Sequence, residues 1–346
     1  MQYKSSVICF VYDKILWASE PFQLIVEAHL LGYKSGKQSG DYIFAILNLQ
    51  LATLTDYVAG QILETVEKNI LDFISKLVAY GLRIFFKHPI LLLSQVMVLK
   101  EGMSMSGVTH VQNQPSEVEI LADSSLGPSV LAYGKLHLLT RAFLFRQMED
   151  VSRHLNTYEV VSDSNHPLNP HFLMGYFFEG LASFQLARQT SDDESAKWIE
   201  RGHLVLAKMR CWSEHSRWNW ENKMLLLEAE NMHTKGEFDI AGSLYDSAIR
   251  SAREHKFVHE EAIACELAGM FFYEIGCHHK SYLCLLHSVD CYEKWGAHAV
   301  ARRVEAQIGV DFSHDIELLS NAGADTLLEY LLEPIQGCQK KRQGGR

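Results

Sequence analysis

The stretch "KGEFDIAGSLYDSAI" at residues 235–249 decides how the chain is read. Gly236 is followed five residues on by Ala241, then by Tyr245 and Ala248. Residues three and four apart share a helix face, so these three form a stripe, with Ile240 and Leu244 beside it. Small side chains on that stripe let a second helix come close, and the tyrosine fills the space toward a third. The preceding "NKMLLLEAENMHTKG" puts Leu225, Ala229 and Met232 on one stripe and stops at Gly236, a residue suited to ending a helix. Together the two stretches predict an antiparallel helix pair.

The pair recurs at an offset of 40 residues. A helix over "HEEAIACELAGMFFYEI" (259–275) is broken by Gly276, and a second over "HKSYLCLLHSVDCYEK" (279–294) precedes Trp295, Gly296 and Ala297. Ala229 falls on Gly269, Met232 on Phe272, Gly236 on Gly276, Ala241 on Ser281 and Ala248 on Ser288. Near the start, "SGDYIFAILNLQLA" keeps the same beat with Gly40, Ala45, Leu49 and Ala52. Self-similarity at such a period marks a solenoid, because each pair leaves an apolar face that only a neighbouring pair can cover. The expected fold is all-α, a right-handed α-solenoid of stacked antiparallel helix pairs over residues 1–305. Its clearest repeats lie at 221–255 and 260–297, with a weaker one at 20–55 and an irregular polar loop near 102–129. A connector helix is expected over 306–336 and a disordered basic tail over 337–346.

Composition bounds the partners. A chain of 346 residues that is 47% hydrophobic can bury a large core, and its net charge of −10 disfavours a nucleic-acid backbone or an anionic membrane as main partner. The most apolar window, "ILLLSQVMVL" at 90–99, is about half a bilayer span, and no secretory signal is visible. A cytoplasmic location is expected. Seven cysteines scattered through helical patterns read as reduced core thiols.

Candidate chemistry is thin. Cys284, His287 and Cys291 share a helix face, with Cys277, His278 and His279 just before them, and thiolate with imidazole at this spacing can hold zinc. No Cys-x-x-Cys pair fixes the geometry, and the segment matches the packed second helix of a repeat, so core cysteines and no metal are expected. A metal-binding protein using the Cys277–Cys291 cluster stands as an alternative. "GYKSGKQ" (32–38) is one residue short of a phosphate loop and has Gln38 where a hydroxyl belongs, so it reads as a turn between helices. Ser313, His314 and Asp315 lack the arginine and proline of a phosphoacceptor box and read as a helix-start cluster. No nucleophile elbow is present, so neither an enzyme activity nor a cofactor nor a small-molecule substrate is expected.

The beat of Gly236, Ala241, Tyr245 and Ala248 resembles the tetratricopeptide repeat. The longer run "LYDSAIRSAREHKFVHEEAIACELAGMFFYEIG", with "YEKWGA" after it, resembles the helical-repeat region of large signalling proteins. Those proteins join a protein-kinase-like domain, an AAA-type ATPase, this helical region, a GAF domain and a hybrid histidine kinase. The turn of Gly40, Asp41 and Tyr42 is similar to one near that region's start. The resemblance implies a non-catalytic scaffold for protein contact or signal transmission, as the coupling region or a fragment of such a protein. A free-standing adaptor that binds a peptide or helix is the alternative.

In tetratricopeptide repeats the inner face of each pair's first helix meets partner peptides. That register assigns partner contact to Leu226, Glu230 and His233, with Lys223 and Thr234 beside them, and to Glu266, Met270 and Tyr273, with Glu274. The set is acidic and apolar, which suits a helix or a basic–apolar segment. Trp212, Trp218 and Trp220 are expected to staple stacked helices.

Overall fold

The computed structural model describes residues 4–102, 115–157 and 170–312. Among them the regular structure is helical, with no strand. Helix α1 (Lys4–Lys14) and a short turn at Leu16–Ala18 lead to α2 (Phe22–Ser39), α3 (Tyr42–Val58), α4 (Leu63–Ala79) and α5 (Lys87–Glu101). A short α6 (Glu117–Ala122) precedes α7 (Pro128–Leu144) and α8 (Met148–Thr157). Three pairs follow: α9 (Pro170–Ala187) with α10 (Asp192–His215), α11 (Arg217–Lys235) with α12 (Phe238–Glu254), and α13 (Val258–Glu274) with α14 (His278–Trp295). The last helix, α15 (His298–Asp311), packs on α14. Each helix lies against its neighbours in the chain, as an all-α helical-repeat fold requires.

The later turns close in one way. Gly236 N–H donates to the His233 carbonyl and Glu237 N–H to the Met232 carbonyl, at 3.0 and 2.9 Å. The same two bonds recur at Lys256 and Phe257, at Gly276 and Cys277, and at Gly296 and Ala297. This double closure satisfies helix carbonyls that would otherwise lack partners, and its first residue must be left-handed. Gly236, Gly276 and Gly296 adopt that conformation freely, at φ of 79°, 80° and 91°. Lys256 adopts it at φ 64°, at a cost of about 1–2 kcal/mol for a side-chain-bearing residue.

Between the turns, the small residues sit where helices touch. Ala229, Ala241, Tyr245 and Ala248 are fully buried. A Cβ on Gly269 would lie 2.6 Å from Leu285 Cγ, and the buried Ser281 hydroxyl donates to the Gly269 carbonyl at 2.7 Å. Glycine at 269 is what lets α13 and α14 close together. Trp295 ends α14 inside the core.

Several boundaries differ from the expectation. The polar interval 102–129 holds α6, capped by Ser116 and Glu119, each side chain bonded to the other's backbone N–H at 3.2 and 2.7 Å. It also holds the first two residues of α7, with Pro128 at the helix start. Residues 306–311 form the end of α15; residues 313–336 of the expected connector helix, with His314, and the basic tail lie outside the described residues. "GYKSGKQ" is no turn but the second half of α2. Gly32 and Gly36 are buried there, where a Cβ would meet the Asn48 side chain and Ser5.

The stacked helices also do not run on in one line. The amino-terminal helices fold back along the starts of α11, α13 and α15. Phe22 N–H donates to Asn219 Oδ1 at 3.1 Å, and the Asn219 amide donates to the Glu20 carbonyl at 2.7 Å. Trp17 meets Trp212 and Trp220 edge-on, with centroids 6.2 and 6.1 Å apart, so these tryptophans fasten α1–α2 to α10–α11. Further along, Tyr57 of α3 lies against Trp295, Gly60 abuts the His259 ring, and Arg302 of α15 reaches the Glu101 carbonyl at the end of α5. No described helix is long and apolar enough to cross a membrane.

Candidate functional site

Closure of the fold changes what the inner face can do. α9, α11, α13 and α15 line that face, and α3 and α7 pack on α9 while α5 packs on α15. Of the residues assigned to partner contact, Leu226 is sealed inside the core. Glu266 is sealed too, although it is ionisable. Its carboxylate takes Arg146 at 2.7 Å, Arg303 at 2.7 Å and the Tyr292 hydroxyl at 2.9 Å. Burial would raise its pKa, but the two guanidiniums outweigh burial and hold the carboxyl below its ordinary range. Lys223 is equally enclosed, bonded to Glu260 and to the Asn219 carbonyl, both at 2.7 Å. These three residues hold the molecule together and present nothing to a partner.

The others surround an opening. A groove of about 350 Å³ lies between α9, α11 and α13, with Leu267, Met270 and Phe271 forming an apolar floor. Its rim carries Gln185, Arg188 and Gln189 from α9 and the turn after it, Glu230 and His233 from α11, and Glu274 from α13. Glu230 accepts from Arg188 and from the Tyr245 hydroxyl, both at 2.6 Å. Burial would raise its carboxyl, yet the Arg188 charge and these bonds keep it lowered. His233 lies 3.0 Å from Glu274, whose side chain is largely exposed. Burial, with Arg188 adding to it, lowers the pKa of His233 and favours the neutral ring. Two carboxylates therefore face one guanidinium around the floor. Thr234 supports the rim from beneath, accepting from Arg188 at 3.0 Å. Tyr273 stands apart, half-exposed against His278 and Phe312.

Arg146, Gln185, Arg188 and Arg303 were not among the assigned residues. Carrying the inner-face register back one repeat, onto the end of α9, points to Gln185 and Arg188. Arg146 could not be found this way. It sits in a left-handed turn between α7 and α8, at φ 57°, and reaches Glu266 across 120 positions. Gln185 accepts from Arg146 at 3.2 Å, and its buried Nε2 has no partner among the described residues. An unpartnered buried amide is costly, by about 1–3 kcal/mol, and at a groove rim it is a donor awaiting an acceptor.

Two further clusters lie in the interior. His137 Nε2 and His171 Nε2 are 3.3 Å apart, and His137 Nδ1 bonds the Leu91 carbonyl at 3.1 Å. The Leu91 contact assigns the His137 proton to Nδ1, so His171 donates through Nε2 and keeps a bare Nδ1. Tyr133 stacks on His171 at 4.1 Å. Burial drives His137 well below its ordinary range and His171 to about 3, so both are neutral. In the cysteine–histidine segment, Cys284 and Cys291 are buried free thiols, and burial pushes Cys284 up to about 12. His278 meets Tyr273 edge-on, while His287 and Cys291 turn toward Glu261 on α13.

No protein-family model, curated protein or solved structure matches this chain.

Proposed function

We propose that the protein is a non-catalytic helical-repeat scaffold that holds a basic–apolar segment of a partner protein in the groove between α9, α11 and α13. The observation that carries this reading is the groove's make-up. An apolar floor of Leu267, Met270 and Phe271 is ringed by the carboxylates of Glu230 and Glu274, with Gln185 Nε2 as a donor that has no partner among the described residues. A large apolar side chain fits the floor, a lysine or arginine beside it meets Glu274, and a backbone carbonyl satisfies Gln185. The resemblance to the helical region of kinase- and ATPase-bearing signalling proteins supports a coupling role between a nucleotide switch and a sensor kinase. A free-standing cytoplasmic adaptor would use the same groove.

A displayed random-peptide library selected on the full chain tests this. Enrichment of a lysine or arginine next to a large apolar residue is expected, with loss of enrichment for Met270→Glu and for Glu274→Lys. No enrichment, or the same peptides selected by Met270→Glu, refutes the groove as the binding surface.

A further inference from the structure

Glu261 on α13 and His287 and Cys291 on α14 form a second polar cluster, away from the groove. His287 Nε2 lies 2.7 Å from Glu261 Oε1 and 3.4 Å from Cys291 Sγ. The donor atoms of all three lie within 4.8 Å of one another. A nucleophilic relay would set thiol and carboxylate on opposite nitrogens of the imidazole, one to give a proton and one to orient the ring. Here both meet the same nitrogen, which leaves no such relay. Sulfur, nitrogen and oxygen donors converging on one point beside a ring nitrogen are what a shared cation needs.

A cation already sits there. Arg253, near the end of α12, donates through Nε to Glu261 Oε1 at 2.8 Å and lies 3.0 Å from His287 Nε2. We propose that Glu261, His287 and Cys291 form a binding site for a zinc-class divalent metal, with Arg253 as the internal cation that the metal displaces. A mixed thiolate, imidazole and carboxylate set suits zinc. Tetrahedral zinc with bonds of about 2.0–2.3 Å holds its donors about 3.3–3.6 Å apart. The Cys291–His287 pair already stands at that separation. The Glu261–His287 gap opens by about half an ångström when their hydrogen bond is lost. Charge balances as well. In the free protein one carboxylate faces one guanidinium; in the bound form a dication faces carboxylate and thiolate, and the Cys291 proton leaves to solvent. The Arg253 side chain is partly exposed and can turn outward. Other groups near the sulfur are Asp290, Lys294 and the buried thiol of Cys265, one turn on from Glu261. This set differs from the one expected from spacing alone, since Glu261 from the neighbouring helix takes the place of Cys277 and Cys284.

Cobalt titration of the reduced full-length protein tests the site. One equivalent is expected to give a thiolate-to-cobalt charge-transfer band in the near ultraviolet, with one proton released, and zinc should bleach it. Cys291→Ser should abolish the band. Glu261→Gln and His287→Gln should each weaken binding about tenfold or more. Arg253→Met, which removes the competing cation, should tighten it. No band in the wild type, a band that survives Cys291→Ser, or Arg253→Met weakening the affinity each overturns the proposal. Where Cys291→Ser does not fold, Glu261→Gln carries the test, and unchanged affinity in that variant is equally decisive.

Discussion

Replacing Lys223 by methionine tests how the two halves of the molecule are held together. Lys223 Nζ lies 4.3, 5.4 and 5.8 Å from the ring centroids of Phe257, Trp220 and Phe22, and it is wholly buried. It bonds Glu260 and the Asn219 carbonyl, and Asn219 in turn holds the start of α2. Burial lowers the lysine pKa, and the Glu260 carboxylate opposes that fall. Methionine is one atom shorter but keeps the unbranched apolar stem that packs against the rings, so the main effect of Lys223→Met is to strand Glu260, whose other close partner is the Asn222 amide. Breaking one side of a buried pair costs about 3–5 kcal/mol, whereas replacing both sides by groups of similar shape costs far less. For 346 residues, an unfolding entropy of about 2.1 cal/mol/K per residue turns 4 kcal/mol into a Tm drop of about 5–6 °C. Glu260→Gln should lose a comparable amount, and the double variant Lys223→Met/Glu260→Gln should recover at least half of the summed loss. Urea unfolding and calorimetry of the four proteins form the cycle. A single-variant cost below about 1 kcal/mol, or strictly additive losses, would refute the claim that this pair fastens the amino-terminal helices to α11 and α13.

Acid should weaken the fold. Burial drives His88 and His259 to about 4 and His171 to about 3, so below pH 6.5 the unfolded chain takes up protons that the folded chain refuses. Stability is then lost as pH falls from about 7 toward 4, by roughly 2 kcal/mol per histidine at pH 5. Asp56, which burial raises to about 6, works the other way and returns part of that loss. A Tm that stays flat from pH 7.5 to 5 would contradict this. Gly269→Ala should cost about 1–3 kcal/mol, because its Cβ meets Leu285 Cγ at 2.6 Å and the Leu285 backbone N at 3.3 Å; denaturant midpoints measure it, and a neutral result would mean that α13 and α14 can separate freely. Lys256→Gly should gain about 0.5–1 kcal/mol by relieving the left-handed strain at φ 64°, and a loss in the same assay would show that the lysine makes a contact worth more than its strain.

Helix ends and the pairing of neighbours were local matters, and the sequence by itself determined them. Gly236, Gly276 and Gly296 mark turns because a left-handed residue closes a helix wherever it stands, and the alanine and glycine stripe at 229, 241, 248 and 269 follows from helical period alone. Even so, Lys256 ends its helix in the same way without any glycine to announce it. The inner-face register found Glu230, His233 and Met270 at the groove, but it gave Glu266 and Leu226 the same standing as those three. Only the tertiary structure separates them, because Glu266 is sealed by Arg146 and Arg303, which come from a turn and a helix far apart in the chain. The proposed metal-ligand set shows the same division. Spacing along α14 brings His287 and Cys291 to one side, but the third donor comes from α13 and depends on how closely those two helices approach. Contacts such as Phe22 with Asn219 span 197 positions and obey no period. They arise from the packing of whole helices, which decides whether a repeat's inner face stays open or is filled by the chain's own beginning.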